Sequence, residues 1–232
     1  MHHISPFIQR LVQLLPSSDR LNSELCGIKV RSYTLEKGTE ILSEGASVQQ
    51  AVTIGHGLAM RYRLVPDGSR QVIMFLTAGD LCNPPIYPIT MDHGIAAVTQ
   101  VRIDRFDSGS LVRLTTTMPG LDQALWIVAE EQNAIMRDHI TSLGRCDART
   151  RVLILLKELA TRLGIPGSPL TPVFIPVTQT LLADAAGLTH IHFNRVLGDM
   201  VKSGVISTSR GGIFVNSLYS LDKLDNNLTV AA

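Results

Sequence analysis

The chain has 232 residues, of which 45% are hydrophobic and 18% are charged, and its formal net charge is +1 at pH 7. This length suits one or two domains, and the composition excludes a disordered or fibrous protein. Uninterrupted apolar runs such as 152–156 fall far below the ~20 residues of a membrane span, and the first residues lack a signal-peptide pattern. We therefore expect a globular, cytoplasmic protein.

The cysteines, Cys26, Cys82 and Cys146, are widely spaced and form no CxxC pair. A sparse and odd number indicates a reducing compartment rather than a disulfide framework. Three thiols are also too few for a four-cysteine zinc or iron–sulfur site within one chain. The sequence therefore predicts no metal site.

The sequence pattern in the first half of the chain changes near residue 28, from helical spacing to short strand-like runs. Residues 5–25 place apolar side chains at helical spacing around a break at Pro16, which predicts a short helix or a helix pair. Residues 28–106 consist of short runs rich in β-branched and aromatic residues, separated by turn signals. One of these, Pro66-Asp67-Gly68, is typical of a tight hairpin. This pattern predicts an all-β sandwich or roll.

A long helix is predicted for residues 121–143, which contain no proline or glycine and follow Pro119-Gly120. A repeated spacing of four and three residues, as in a coiled coil, runs along one of its faces. The residues of this seam are Leu121, Leu125, Val128, Gln132, Ile135 and His139. An amphipathic helix can pack on its own β domain, but polar residues within the seam favour a register-fixing dimer contact.

Beyond Gly144 the sequence predicts a second helix over about 146–163 and a loop-like stretch over 164–176. A capped pair of helices follows. Thr178 is a candidate N-cap for a helix over 179–185, Gly187 suits a tight turn, and Thr189 caps a second helix that runs to about residue 203.

The second helix of this pair has two different faces. Phe193, Val196, Leu197 and Met200 share one face, whereas residues 190, 191, 194 and 195 lie on the other. A β-hairpin is predicted over 205–215. The order of elements predicts a helix–turn–helix with a wing, whose second helix offers its first side chains to the major groove of DNA.

Residues 176–216 resemble the winged helix–turn–helix of the Crp/Fnr family of bacterial transcription regulators, and the resemblance extends over nearly the whole chain. The helix at 121–143 is similar to the family's dimerisation helix. Several segments resemble successive turns of the family's β-roll effector domain: Leu35-Glu36-Lys37-Gly38, Ser43-Glu44-Gly45, Gly55-His56-Gly57, Asp67-Gly68 and Phe75-Leu76-Thr77-Ala78-Gly79-Asp80-Leu81.

The resemblance implies a set of DNA contacts. Arg195 falls at the family's guanine-reading arginine, whose guanidinium fork suits O6 and N7. Many members have a glutamate where this chain has Ile191, which could touch a thymine methyl instead, so we expect a different half-site. The implied contacts, to phosphate or to bases, are Thr178, Gln179, Thr180, Thr189, His190, Ile191, Asn194, Arg195 and Arg210.

The effector region departs from the family's cyclic-nucleotide pocket. Pro84-Pro85 stands where those members hold ribose with a glutamate, and Met91-Asp92 places a negative charge near their phosphate position. We therefore predict no cyclic-nucleotide dependence. Cys82, Met91 and His93 line a candidate effector pocket, and because thiolate and imidazole bind iron and zinc, a haem or redox sensor remains an alternative.

The fold is therefore predicted as α+β, with a β-roll effector domain at 1–118, a dimerisation helix at 119–145 and a winged helix–turn–helix at 146–232. The function predicted is that of a homodimeric DNA-binding transcription regulator, not an enzyme, without a cofactor. It would bind palindromic double-stranded DNA, and RNA polymerase if it activates. A cupin-like ligand-binding protein is disfavoured because His56 and His93 are isolated on the β region, and a protein–protein adaptor because Arg195 is present.

Overall fold

The computed structural model describes residues 4–15, 19–84, 88–164, 168, 170–219 and 221. The chain divides into two units: residues 1–63 with 74–136, and residues 64–73 with 137–232. Within the described residues, no helix is both long and apolar enough to cross a membrane. The segment boundaries predicted at residues 118 and 145 remain predictions.

The first unit begins with two helices, α1 (Pro6–Leu14) and α2 (Asp19–Cys26), as predicted for residues 5–25. Strands and one further helix, α3 (Ser108–Thr117), follow. The strands are β1 (Val30–Leu35), β2 (Glu40–Leu42), β3 (Ser47–Val48), β4 (Gln50–His56), β5 (Ala59–Leu64), β6 (Arg70–Leu76), β7 (Ile89–Thr90), β8 (Gly94–Ala97) and β9 (Val101–Asp107). The last residue of β5 and the first four residues of β6 are assigned to the second unit. Helix α3 has no counterpart in the prediction; the Asp107 carboxylate caps its start by accepting from the Ser110 amide.

The strands form a three-stranded sheet in the order β1-β9-β4, a four-stranded sheet in the order β2-β8-β5-β6 and a short β3-β7 pair. Strand β9 runs antiparallel to both of its neighbours, with Ile103 opposite Tyr33 on one side and Ile54 on the other. The turn between β5 and β6 contains Gly68 at a φ of 82°, in the left-handed region that favours glycine. These β-rich sheets confirm the predicted β-roll class.

Helix α4 (Leu121–Arg145) continues through Gly144, where the sequence predicted an interruption. Its buried face packs into the core of the first unit. Leu121, Leu125 and Val128 belong to one apolar cluster with Phe7 and Phe106. The side-chain amide of Gln132, which is 5% exposed, donates to the carbonyl of Leu81 at 3.2 Å.

The predicted seam therefore has a different role from the one expected. Because Leu121, Leu125, Val128 and Gln132 are enclosed by their own chain, the prediction that they join two copies is wrong. Ile135 is half-buried against the β-sheet core. The alternative left open by the sequence, a helix that packs on its own β domain, describes these residues correctly.

The described elements of the second unit include three further helices and a three-stranded sheet. Helix α5 (Ala148–Leu163) contacts α6 (Gln179–Ala186), α7 (His190–Lys202) and β10 (Val173–Ile175). The wing consists of β11 (Ile206–Ser209) and β12 (Gly212–Val215), as predicted. Strand β10 lies within the stretch expected to be a loop. It pairs antiparallel with β12 and buries Val173 and Ile175, a pattern too short to be read among the flanking prolines.

Candidate nucleic-acid interface

Two threonines begin the helices of the helix–turn–helix. The hydroxyl of Thr178 accepts a hydrogen bond from the Leu181 amide, and that of Thr189 accepts one from the His192 amide, at 3.4 and 3.3 Å. Between the helices, Gly187 adopts a left-handed conformation with φ 61° and ψ 40°. The predicted caps and turn are thus confirmed, and they fix the direction in which α7 leaves α6.

Helix α7 is anchored by its apolar face. Phe193, Leu197 and Met200 are at most 3% exposed, whereas Ile191 is 83% exposed. The exposed side of the first two turns consists of the predicted set His190, Ile191, Asn194 and Arg195. The Asn194 amide lies 3.4 Å from the His190 imidazole, so these two side chains are neighbours one turn apart.

The remaining predicted contacts also lie in the second unit. Thr180 and Thr189 are exposed near the starts of α6 and α7, and Thr178 and Gln179 are half-buried. Arg210 is exposed at the turn between β11 and β12. These side chains supply hydroxyl, amide and guanidinium donors of the kind that bind phosphate oxygens.

Two arginines that the sequence analysis missed hold helix α6. Arg151 donates to the carbonyl of Cys146 at 2.9 Å and reaches that of Ala186 at 3.5 Å. Arg70 forms an ion pair with Asp184, and the neighbouring Gln71 donates to the Asp184 carbonyl at 3.0 Å. No local sequence pattern could signal the pair with Arg70, because the partners are far apart along the chain.

The predicted effector residues of the first unit are closely packed. Cys82 and Met91 belong to one apolar cluster and are 0% and 1% exposed. Burial raises the pKa of the Cys82 thiol to about 12, so the thiolate needed to ligate iron or zinc is disfavoured. Burial also lowers the pKa of His93, although its hydrogen bond to Asp92 opposes this effect.

Asn83, which follows Gly79-Asp80-Leu81 closely in the sequence, is buried and hydrogen-bonded to the main chain. The side chain of Asn83 is 3% exposed; its oxygen accepts from the Val52 amide and its nitrogen donates to the Gln50 carbonyl. Pro85, part of the predicted departure from a cyclic-nucleotide pocket, lies outside the described residues. In the part of the chain that the structure describes, no group of three or more histidine, cysteine, aspartate or glutamate side chains could hold a metal ion.

Helix α4 also has a second heptad face, one residue away from the predicted seam. Trp126 and Ile140 on this face are 68% and 69% exposed, and Asn133 between them is also exposed. None of its six residues is buried: Trp126, Ala129, Asn133, Met136, Ile140 and Leu143. Their spacing of three and four residues is a coiled-coil pattern that the sequence itself contains.

Comparisons with known proteins agree with this architecture. Residues 150–224 match the model of the Crp-like helix-turn-helix domain. Electron transport regulator A of Shewanella oneidensis is 26% identical over 211 residues, which cover 90% of this chain and 84% of that protein. The nitrogen fixation regulation protein FixK of Bradyrhizobium diazoefficiens is 25% identical over 185 residues, or 79% of this chain and 77% of that protein. The solved structure of FixK2 from Bradyrhizobium japonicum has a TM-score of 0.75 and 22% identity, and covers 85% of this chain and 98% of that one.

A β-rich unit, a long helix and a winged helix–turn–helix with an exposed second helix define a DNA-binding transcription regulator. Residues 150–224 match a Crp-like helix-turn-helix domain, and the similarity to curated regulators over most of the chain supports a regulator of the Crp/Fnr family. The curated relatives named above are regulators, in agreement with the prediction that this chain is not an enzyme.

Proposed function

We propose that this regulator binds DNA as a homodimer, with one helix α7 in each of two successive major grooves of a palindromic site. The observation that carries this proposal is the exposed set His190, Ile191, Asn194 and Arg195 on a helix whose opposite face is buried. A rigidly held helix can read base edges because its side chains keep a fixed register along the groove.

Each residue of this set has a distinct chemistry. The guanidinium of Arg195 can donate two parallel hydrogen bonds to guanine, and the amide of Asn194 can pair with adenine. Ile191 has no polar group, so its contact would be with the methyl group of thymine. Phosphate contacts from Thr180, Thr189 and Arg210 would position the helix without reading sequence.

The second heptad face of α4 supports the dimer. Trp126, Asn133 and Ile140 are seven residues apart, at positions that correspond to a of a heptad, and Ala129, Met136 and Leu143 occupy d. Two copies packed along this face would cover two large apolar side chains that are otherwise exposed. Asn133 at an a position would pair with Asn133 of the second copy and fix the register.

Independence from cyclic nucleotides is part of the proposal. Asn83 is occupied by backbone hydrogen bonds of its own chain, and Asp92, whose side chain is 80% exposed, would repel a phosphate near His93. The dimer would therefore bind its site without cyclic AMP. If it activates transcription, it would also contact RNA polymerase.

The test is fluorescence anisotropy on a duplex enriched from random sequences by the purified protein, with shuffled duplex as reference and a series of salt concentrations. We expect selective binding that weakens with salt, a site with twofold symmetry and half-sites about one helical turn apart, and no effect of cyclic AMP. Arg195→Ala should weaken selective binding by roughly 5- to 150-fold, which corresponds to about 1–3 kcal/mol.

Lys202→Ala is the matched control, because it removes one positive charge from the exposed C-terminal end of the same helix, where Lys202 pairs with Asp199. It should change affinity by much less than Arg195→Ala. Equal effects of the two substitutions would show a non-specific electrostatic contact and contradict base reading by Arg195. An enriched site without symmetry would contradict the dimer.

A further inference from the structure

A cleft lies between the start of α1 and the junction of α2 with β1, within the first unit. Its volume is about 470 Å³, and sites for small molecules typically have volumes of about 300–1,000 Å³. Among its described lining residues, none belongs to α4 or to the four-stranded sheet. The cleft is therefore separate from Cys82, Met91 and His93, the predicted effector residues.

The side chain of Ser5 is buried in the wall of this cleft. Ser5 is 1% exposed and immediately precedes α1, a position at which a serine hydroxyl usually accepts a hydrogen bond from an amide of the first turn. In this helix the hydroxyl makes no such cap, and Oγ has no hydrogen-bond partner at all. Because a buried hydroxyl without a partner is unfavourable, a bound molecule that accepts from Oγ would gain free energy.

The first turn of α1 contributes further unused donors. The helix begins with a hydrogen bond from the Gln9 amide to the Ser5 carbonyl at 3.0 Å, so the amides of Phe7 and Ile8 have no acceptor within the helix. The positive end of the helix dipole lies at the same point. Since Ser5 and Ile8 both line the cleft, this wall favours a negatively charged group.

The opposite wall is basic and apolar. Lys29 and Arg31 are exposed at the start of β1, and none of the described lining residues is acidic. Lys29 also borders a second cleft that contains Glu24 and Asp107, whereas Arg31 lines the first cleft only. The apolar part of the lining consists of Ile4, Ile8, Ile28 and Val30.

We propose that this cleft binds a small anionic amphiphile, namely a carboxylate with an aliphatic tail. The carboxylate would accept from the Ser5 hydroxyl and from the uncapped amides of α1, and it would pair with Arg31. The tail would lie against Ile28 and Val30 and remove apolar surface from water. Binding would thus link the start of α1 to the start of β1.

The experiment is isothermal titration calorimetry of the full chain, without DNA, with sodium octanoate below its micelle concentration. Sodium acetate has the same head group without the tail, and octanol has the same tail without the charge. We expect octanoate to bind at one site per chain. Its affinity should exceed that of acetate and of octanol by a factor of about ten or more, because each control compound lacks one of the two kinds of contact.

Cys26 reports where the ligand binds, since it is exposed and lines the same cleft. Bound octanoate should slow the alkylation of Cys26 by iodoacetamide in proportion to occupancy. Cys146 lies in the second unit and is half-buried, so its alkylation rate should not change. Mass spectrometry of peptides distinguishes the two thiols.

The substitution Ser5→Ala separates a ligand contact from a structural role. Because the hydroxyl has no partner in the ligand-free protein, Ser5→Ala should have a Tm equal to or above that of the wild type. Its affinity for octanoate should fall by about fivefold or more, equivalent to about 1 kcal/mol. Arg31→Gln should also bind more weakly. Lys37→Gln is the control, because it removes an exposed cation beyond the other end of β1, and it should bind octanoate as the wild type does.

The proposal is wrong if octanoate does not bind, if octanol binds as tightly as octanoate, or if octanoate leaves the alkylation of Cys26 unchanged. Full affinity in Ser5→Ala would also contradict it. A lower Tm of ligand-free Ser5→Ala would show that the hydroxyl has a structural role and would overturn its assignment as a ligand contact. Since no DNA is present, these outcomes leave the proposed DNA binding untouched.

Discussion

Arg70 and Asp184 form an ion pair across 114 positions of sequence, within the second unit. The Asp184 carboxylate accepts from Nη2 of Arg70 at 2.9 Å and from Nε at 3.3 Å. Gln71 adds a hydrogen bond to the main chain of the same helix, at the Asp184 carbonyl. Segment 64–73 therefore supports α6, the helix that precedes α7, through contacts with Asp184.

We predict that Arg70→Ala lowers the free energy of unfolding by about 1 kcal/mol, because both side chains of the pair are two-thirds or more buried and Oδ2 of Asp184 accepts from two nitrogens of Arg70. Chemical denaturation of Arg70→Ala, Asp184→Asn and the double variant should give a favourable coupling energy. The exposed Arg63–Glu44 pair is the control, and Arg63→Ala should cost much less. Equal costs for the two arginines would contradict the assigned role of Arg70.

The same substitution, glycine to alanine, should have opposite effects on the free energy of unfolding at Gly187 and at Gly198. Gly187 has a φ of 61°, and a Cβ there would lie 3.0 Å from Leu143, so Gly187→Ala should destabilise the protein by about 1–2 kcal/mol. Gly198 is inside α7, and apart from the adjacent residues and the backbone of the helix itself no atom lies within 4 Å of the place that an alanine methyl group would occupy, so Gly198→Ala should stabilise by roughly 0.5–1 kcal/mol. Denaturation midpoints measure both, and a loss of stability in Gly198→Ala would contradict the open surroundings of that position.

The local elements of the candidate interface could be predicted because their signals are local. Thr178, Gly187 and Thr189 specify caps and a turn through their own chemistry, and the periodicity of Phe193 and Leu197 identifies the buried face of α7. Helix α3 and strand β10 were not recognised, since each is short and depends on packing against distant residues.

Contacts between residues that are distant in sequence could not be predicted in the same way. The spacing of α4 contains two heptad faces, and only the surrounding structure decides that Leu125 and Val128 pack on their own chain while Trp126 is exposed. The burial of Arg61 on β5, which is only 8% exposed, could not be predicted either, because an arginine in an alternating strand is usually a solvent-facing residue.

From the exposed heptad face of α4 we predict that the protein is a dimer. Ile140→Asp places a charge at the proposed a position of the dimer contact, where Ile140 is 69% exposed, and should convert the dimer to monomer. Leu170→Asp is a control of similar exposure, at 71%, and should remain dimeric. Sedimentation velocity distinguishes the two masses. A wild-type protein that is already monomeric at micromolar concentration, or an unchanged dimer in Ile140→Asp, would contradict the use of this face.

Acidification is predicted to destabilise the fold through its buried imidazoles. Burial lowers the pKa of His139 below its ordinary value of 6.5, and a hydrogen bond with the Val72 backbone only partly opposes this. The unfolded chain therefore binds more protons, so the free energy of unfolding is highest above pH 6.5 and falls as the pH decreases through that value. Denaturation between pH 8 and 5.5 should show this slope, and a smaller slope in His139→Gln.

Comparison of the two proteins at pH 8 provides the control, because His139 is then neutral in both states and any difference reflects lost contacts alone. The pH range stays above the ordinary carboxylate pKa of 3.8. A slope of the same size in His139→Gln would assign the acid sensitivity to other groups, among them His93, whose pKa burial also lowers.

We predict that Ile191, at the start of α7, recognises the methyl group of a thymine. Its side chain is 83% exposed in the free protein and has no hydrogen-bonding atom, so burial against a thymine methyl is the contact that gains free energy. In the enriched duplex, each thymine is replaced in turn by deoxyuridine, which removes only that methyl group. One symmetric pair of positions should lose about fourfold in affinity per half-site, equivalent to about 0.8 kcal/mol, and Ile191→Ala should abolish this sensitivity while Arg195→Ala retains it. If no thymine is sensitive, or if Ile191→Ala responds as the wild type does, Ile191 does not read a methyl group and the specificity of the half-site must come from His190, Asn194 and Arg195.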